Sequence, residues 1–393
     1  MIGADISSFD KRAKIRVIGV GGGGNNAVDR MIDDNVEGIE FIAVNTDAQV
    51  LSRSKAQTRI QLGEKLTQGL GAGGDPDIGA KAADESLEDL AAAITGTDML
   101  FITAGMGGGT GTGAAPVIAA VAKKQNILTV GVVTKPFAYE GKRRMDVAQK
   151  GIEELFKNVD TLLVVPNAKL LEIMDDSATM IEAYKKADEV LTQSVQGLSN
   201  IITNSGTINM DFADIRSAMR NKGMAHIGIG WASGKNRAML AAENAISSPL
   251  LETSIVGADS VLVNMVGPMN VGLHETNAAS TYIHDRIGRA DCNFIFGTMM
   301  EESSEDKIII TVVATGFNTG ATQAKPVKII DHGGSKPNSA DPDEPNNPDT
   351  TDNPTPSDTP DTAPPQPNEK SDTLKNGSDI QLPVFVRRNR GRN

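Results

Sequence analysis

The sequence predicts a doubly wound α/β domain, one long helix, a smaller mixed α+β domain and a tail too poor in apolar residues to join either. Three observations lead there. In the first half of the chain, short and almost continuously apolar runs alternate with helical patterns, which is how parallel strands covered on both faces read. From Met180 to Thr203 apolar residues recur in steps of three or four, at Ile181, Tyr184, Ala187, Leu191, Val195, Leu198 and Ile202. From about residue 319 the composition turns to proline, aspartate, asparagine and threonine, which bury too little to offset chain entropy.

Taken in order, residues 1–12 are polar and without period. The strand-like runs are Lys14–Val20 (KIRVIGV), Phe41–Val44, Met99–Thr103, Ile127–Val133 and Thr161–Val165, and helical stretches lie between them at Ala27–Asp33, Pro116–Lys124 and Arg144–Phe156. The stepped segment after Met180 predicts a helix of about 24 residues, roughly 36 Å long and able to act as a spine between two domains. Beyond it Ser260–Val266, Asn293–Gly297 and Lys307–Thr315 read as strands less regularly interleaved with helices. The expected divisions are a flexible leader over 1–12, a ligand-binding domain over 13–179, the helix over 180–204, the second domain over 205–318, a linker over 319–378 and a terminal peptide over 379–393.

The 393 residues carry a net charge of -12, which disfavours nucleic acid as a partner because a phosphate-backbone binder needs a clustered basic face. The charge is uneven. Asp331 to Ser378 holds ten acids, three lysines and ten of the 18 prolines, whereas Asp379 to Asn393 holds one acid and four arginines beside the apolar burst Ile380–Val386. An apolar and basic peptide on an acidic tether reads as a docking segment that orders on binding. The single cysteine, Cys292, excludes an internal disulfide framework, fits a reducing compartment and is expected to be an inert core residue. Met1–Lys14 lacks the apolar run of a signal peptide, and no segment reaches the ~18 apolar residues of a membrane span. A cytoplasmic protein is expected.

Two glycine loops carry the chemistry. Gly19-Val-Gly21-Gly22-Gly23-Gly24-Asn25-Asn26 follows a strand and precedes a helix; it satisfies G-x-G-x-x-G, and Asp47 lies 23 residues after Gly24. Alone, this is the mark of a dinucleotide enzyme, or simply of a tight strand–helix turn. The second loop, Ala104 to Gly113, packs five glycines and two threonines into Gly107–Gly113. That much backbone freedom is costly in a mere turn and suits a phosphate cradle. It lacks the lysine of an ordinary P-loop. A third stretch, Gly69–Pro76, reads equally as a mobile loop reaching a terminal phosphate through Ala72 and Gly73, or as a surface loop.

Together, GVGGGGNNAV at Gly19–Val28, AVNTDAQ at Ala43–Gln49, GGGTGTG at Gly107–Gly113 and NMDFAD at Asn209–Asp214 closely resemble FtsZ, the bacterial tubulin-like division GTPase family, from about residue 14 to 317 and again at the C-terminal peptide. The resemblance implies a tubulin/FtsZ-like fold, with a Rossmann-type parallel-sheet GTPase domain. GTP or GDP would be bound, with Mg²⁺ held mainly through the nucleotide phosphates and no protein metal site. By resemblance Gly21, Gly22, Gly23, Gly24, Asn25 and Asn26 wrap the phosphates. Gly105, Gly107, Gly108, Gly109, Thr110, Gly111, Thr112 and Gly113 hold the triphosphate, with Asn45, Asp47, Ala72 and Gly73 nearby. Glu140 would take sugar hydroxyls and Arg144 would offset phosphate charge; read without the family, the two are an i, i+4 surface ion pair. Asp188 would accept from guanine N1–H and the exocyclic amine, and Tyr184, where the family often has Phe, would stack on the base. Otherwise Asp188 is a solvated helix acid and Tyr184 a core residue.

For hydrolysis the resemblance points to Asn209, Asp211 and Asp214. If a helix starts near Asp211, the i, i+3 spacing puts both carboxylates on one face, where they orient water; helix capping is the plainer reading of Asp211. The family's arrangement has this loop enter the nucleotide site of the next subunit, so hydrolysis requires head-to-tail assembly into filaments at the midcell division ring. The terminal peptide Asp379–Arg388 would dock on membrane-anchoring and regulatory division proteins, bringing the chain to the membrane only indirectly. Its Gln381-Leu382 and Val386 depart from the family's usual D-I-P-x-F-L-R. Two other functions compete. A nicotinamide-dependent oxidoreductase would need a proton donor, and His226, His274, His284 and His332 lie in no motif. A non-hydrolysing scaffold would have lost an acid, and both Asp211 and Asp214 are present.

Overall fold

The computed structural model describes residues 13–175, 177–203, 211–248, 254–301 and 306–317. The leader, Asn209, the linker and the terminal peptide lie outside the described residues.

The five apolar runs of the first half become β1 (Ile15–Val20), β2 (Ile39–Asn45), β4 (Met99–Gly105), β5 (Leu128–Lys135) and β6 (Thr161–Pro166), and the short, largely polar β3 (Thr58–Gln61), which no apolar run marks, is added beside β2. They pair in the order β3-β2-β1-β4-β5-β6, all parallel. Because side chains alternate across a strand, one run fills two cores. Val17, Phe41, Phe101, Val132 and Leu163 face α1 (Gly21–Asp33) and α9 (Met180–Thr203). Their neighbours Ile18, Ile42, Ile102, Val133 and Val164 face α4 (Pro76–Glu85), α5 (Leu87–Ile94), α6 (Thr110–Lys124) and α7 (Lys142–Phe156). Short α2 (Ala48–Arg53), α3 (Glu64–Thr67) and α8 (Asn167–Leu170) fill the connections.

The long helix α9 serves both halves of the molecule: its Val190, Val195 and Leu198 share one core with Phe101 of β4 and with Ile227, Leu262 and Val313 further along the chain. After α10 (Phe212–Met219) come β7 (Gly223–Ser233), α11 (Arg237–Ile246), β8 (Ser260–Gly267), α12 (Leu273–Ile287), β9 (Asn293–Met300) and β10 (Lys307–Thr315). The two halves are not separate sheets. β7 adds to β6 in parallel over Thr161–Leu163 and then pairs with antiparallel β10, so a single ten-stranded sheet ends in the order β6-β7-β10-β8-β9. α11 and α12 cover its second half through Ala241, Ala242, Ile283 and Ile287.

Two single residues end up in different settings. Cys292 is half-buried at the edge of the core under α11 and α12, and burial raises its thiol pKa, keeping it a poor nucleophile. Trp231 does not pack inward: it is 59% exposed with the Lys307 ammonium 4.4 Å from its ring centre.

Candidate functional site

β1 is flanked by β2 on one side and β4 on the other, so the connections leaving β1 and β4 diverge and leave a crevice at the carboxyl ends of these strands. Both glycine loops arrive there. α1 starts at Gly21, inside the first glycine run and earlier than the sequence pattern marks, while α6 starts at Thr110 inside the second. Neither helix has a side-chain N-cap or an acid in its first turn. Adjacent helices are treated differently. Asp47 caps α2 by accepting from the Gln49 and Val50 N–H groups, and Asp75 caps α4 by accepting from Asp77 N–H. The orphan N–H groups and positive dipole ends of α1 and α6 are thus left for an anion.

The glycines also let the two loops touch backbone to backbone. Gly21 has φ +70°, and a Cβ there would sit 2.9 Å from the Gly111 nitrogen. Gly107 has φ +101° and would push a Cβ to 2.8 Å from the Arg144 carbonyl oxygen. Gly22, Gly23 and Asn26 remain exposed, and Gly105, Gly108 and Thr110 are partly open.

Several polar residues of the motifs hold the loops in place. Asn25, 1% exposed, donates from Nδ2 to Gly19 O at 2.9 Å; Asn45 Nδ2 donates to Asn25 Oδ1 at 2.7 Å; and Asp47 N–H donates to Asn45 Oδ1 at 3.1 Å. Thr112 is buried, and its hydroxyl accepts from Gly107 N–H at 2.8 Å. The third loop reaches the crevice from the β2 side: Leu70 bridges to Asp47 and Gly71 N–H donates to Thr46 O at 3.1 Å, with Ala72 buried and Gly73 exposed.

On the other flank, Glu140 Oε1 accepts from Phe137 N–H at 2.9 Å and Glu140 Oε2 meets Arg144 Nη1 at 3.2 Å. The Glu140 side chain is 7% exposed and that of Arg144 52%, so the ion pair is real but its cation faces outward. Tyr184 packs edge-on to Phe137, which stacks on Tyr139. Burial, and then the Tyr139 hydroxyl, hold the Tyr184 phenol protonated well beyond its ordinary range. Asp188 lies on α9 where that helix runs along α1. Burial pushes its carboxyl up to about 6, against the pull of the Arg30 guanidinium. A carboxylate held out of water in this way suits N–H donors from a ligand. One residue escaped the sequence reading. Asn167, just past the carboxyl end of β6, is buried with an Oδ1 that has no hydrogen-bond partner among the described residues. A lone asparagine after an apolar run carries no signal that would single it out.

Asp211 and Asp214 do not join this crevice. Both are exposed: Asp211 occupies the N-cap position of α10 without making the side-chain cap bond, and Asp214 sits in its first turn. The far end of α10 is tied to the opposite end of the strands. Thr161, first residue of β6, donates to Met219 O, and Thr315, last residue of antiparallel β10, donates to Ala218 O at 2.8 Å. At eight residues, α10 is about 12 Å long, short of the roughly 20 Å that six-residue strands span. Within one chain the acids and the glycine loops stay apart.

An α/β fold with two uncapped glycine-headed helices at its switch point, a long central helix and a second half built onto the same sheet defines a nucleotide-binding protein of the tubulin-like class. Residues 14–175 match the GTPase domain of the Tubulin/FtsZ family, and residues 223–318 match the FtsZ family C-terminal domain. The structure is similar to an empty FtsZ dimer from M. jannaschii, at 46% identity and TM-score 0.75, covering 79% of this chain and 90% of that one. A variant of M. jannaschii FtsZ matches at 46% identity and TM-score 0.74, over 78% and 92% of the two chains. CetZ2 from Haloferax volcanii, solved as a GTPγS-bound protofilament, shares the fold at 20% identity and TM-score 0.67, over 78% and 94%. The chain belongs to the FtsZ family, and its first half is that family's GTPase domain.

Proposed function

We propose that this GTPase assembles head to tail into filaments that form the division ring, and that each GTP is hydrolysed at a junction where Asp211 and Asp214 of one subunit meet the nucleotide of the next. The observation that carries this reading is a separation: the crevice with its two uncapped helix N-termini lies at the carboxyl ends of the parallel strands, while two exposed carboxylates, Asp211 and Asp214, lie on the helix tied to their amino ends. Such a contact joins unlike surfaces and need not close, which gives a filament. The rim of the crevice supports it too. Leu70 (82% exposed), Tyr139, Leu171, Met180 and Ile181 are all exposed on the segments that follow β2, β5 and β6, and exposed apolar side chains of this size suit an interaction surface.

In this reading the α1 and α6 N-termini, with Gly22, Gly23, Gly108 and Thr110, bind the phosphates. Arg144 offsets their charge, Glu140 meets the ribose, Asp188 takes guanine N1–H and its amine, and Tyr184 offers a ring face. Asp211 and Asp214 of the neighbour, with Asn209, orient the attacking water while the fixed N–H groups stabilise charge growing on the phosphoryl oxygens. Mg²⁺ supplies further charge neutralisation when bound, held mainly by the phosphates. Among the described residues no group of three or more His, Cys, Asp or Glu is placed to hold an ion by itself. The chain acts in the cytoplasm, and the peptide Asp379–Arg388 links it to membrane-anchoring and regulatory division proteins. Among the described residues no helix is long and apolar enough to cross a membrane.

Light scattering and phosphate release, followed together across a protein concentration series with GTP, ATP or NADH, test this. Turnover per chain that rises above a threshold concentration with GTP alone supports the proposal. Turnover per chain that is independent of concentration overturns it.

A further inference from the structure

Thr46 belongs to no glycine loop, yet it touches both the second and the third. It is fully buried, at 0% exposure, just beyond the end of β2. Its carbonyl accepts from Gly71 N–H at 3.1 Å, while its Oγ1 lies 2.6 Å from Thr110 Oγ1. Thr110 is the first residue of α6 and is partly open to the crevice.

We infer that Thr46 is a positioning residue for the nucleotide phosphates, its buried hydroxyl setting the rotor of Thr110 at the head of the cradle. A hydroxyl carries one proton and accepts on its lone pairs. A phosphate oxygen only accepts, so a bound anion selects the arrangement in which Thr46 donates to Thr110 and Thr110 donates to the phosphate. Each bond in such a chain polarises the next. With valine at 46 the shape is kept and the proton is lost, so Thr110 has no fixed partner to orient it. The inference deepens the phosphate-cradle reading and rests on it.

The test is a double-mutant cycle on GTP affinity in the full chain. Thr46→Val is expected to weaken GTP binding roughly five- to tenfold, the worth of one oriented hydrogen bond, and Thr46→Ser to restore it to within about twofold. Thr110→Val should weaken binding as well, and the double variant should be no weaker than Thr110→Val alone, because Thr46 acts through Thr110. The ³¹P resonances of bound GDP should move in Thr46→Val in the same sense as in Thr110→Val, a readout that a loss of packing alone would not produce. Thr46→Ala carries the same test if the valine variant does not fold. Losses that multiply in the double variant, or wild-type affinity in Thr46→Val beside a weakened Thr110→Val, overturn the inference and leave the cradle standing. Wild-type affinity in Thr110→Val overturns the cradle reading itself.

Discussion

Replacing Asp188 with asparagine should move stability and nucleotide binding in opposite directions. Burial raises the Asp188 carboxyl from an ordinary 3.8 to about 6. A carboxyl pKa raised by folding means that the folded state disfavours the charge. The penalty is in force above about 6 and disappears below about 4, where the group is neutral in both folded and unfolded chains. The gap corresponds to about 3 kcal/mol at most, and partial exposure trims it. Nucleotide-free Asp188→Asn should therefore be more stable than wild type at pH 7 by about 1–2 kcal/mol, and the gain should fade as the pH falls toward 4. Guanine needs the carboxylate. With a value near 6, the ionised fraction is about nine-tenths at pH 7, one-half at pH 6 and one-tenth at pH 5, so wild-type GTP affinity should fall about tenfold between pH 7 and pH 5 from this group alone. Asp188→Asn should lose about 100-fold at pH 7, the worth of two charge-assisted hydrogen bonds. Nucleotide phosphates also titrate near pH 6, so the quantity to measure is the difference between the two profiles, by calorimetry with GTP and GDP, alongside urea unfolding of the empty proteins. Parallel pH profiles, or an asparagine variant that is less stable when empty and equally tight for GTP, would refute the reasoning.

Two further outcomes are expected. Asp211→Ala and Asp214→Ala should bind GTP within about twofold of wild type while turnover falls about 100-fold or more; phosphate release beside equilibrium binding checks this, and lost binding with normal turnover per bound nucleotide would sink the assignment. Asn45→Ala should cost about 1–3 kcal/mol in thermal unfolding, because Asn25 Oδ1 loses its donor inside the core; an unchanged midpoint would mean the asparagine pair does not hold the loops.

The parallel sheet was legible in β1, β2, β4, β5 and β6 because each of these strands feeds two cores, whereas the half-exposed β3 was not. Val17 and Ile18 face opposite sides and both are apolar, so the run has no polar gap to confuse it with an amphipathic helix. The α9 pattern was equally plain, since its Val195 and Leu198 must satisfy one continuous core. Glycine hid the starts of α1 and α6: Gly21 and its successors are poor helix formers, yet they form the first turn of α1. The segment holding α4 and α5 carried usable marks, an Asp75 cap and Pro76 at the first position, followed by the buried Ala82, Ala83, Leu90 and Ile94. The roles of Thr46 and Asn167 were not legible. A contact between Thr46 and Thr110, 64 residues apart, and a buried Asn167 Oδ1 with no partner among the described residues exist only once the sheet has formed. Nor does spacing reveal that β7 extends the first sheet, since three residue pairs decide it.

The most direct test of the shared active site is complementation between two inactive chains. Asp214→Ala keeps the nucleotide crevice and lacks an acid, whereas Asp188→Ala keeps both acids and binds guanine nucleotide poorly. If catalysis occurs at the junction, mixing the two with GTP should restore phosphate release well above the sum of the separate rates, most strongly near equal amounts, because mixed filaments contain junctions with one intact half from each chain. Phosphate release equal to the simple sum at every ratio, with co-assembly of the two chains verified by sedimentation, would contradict the account.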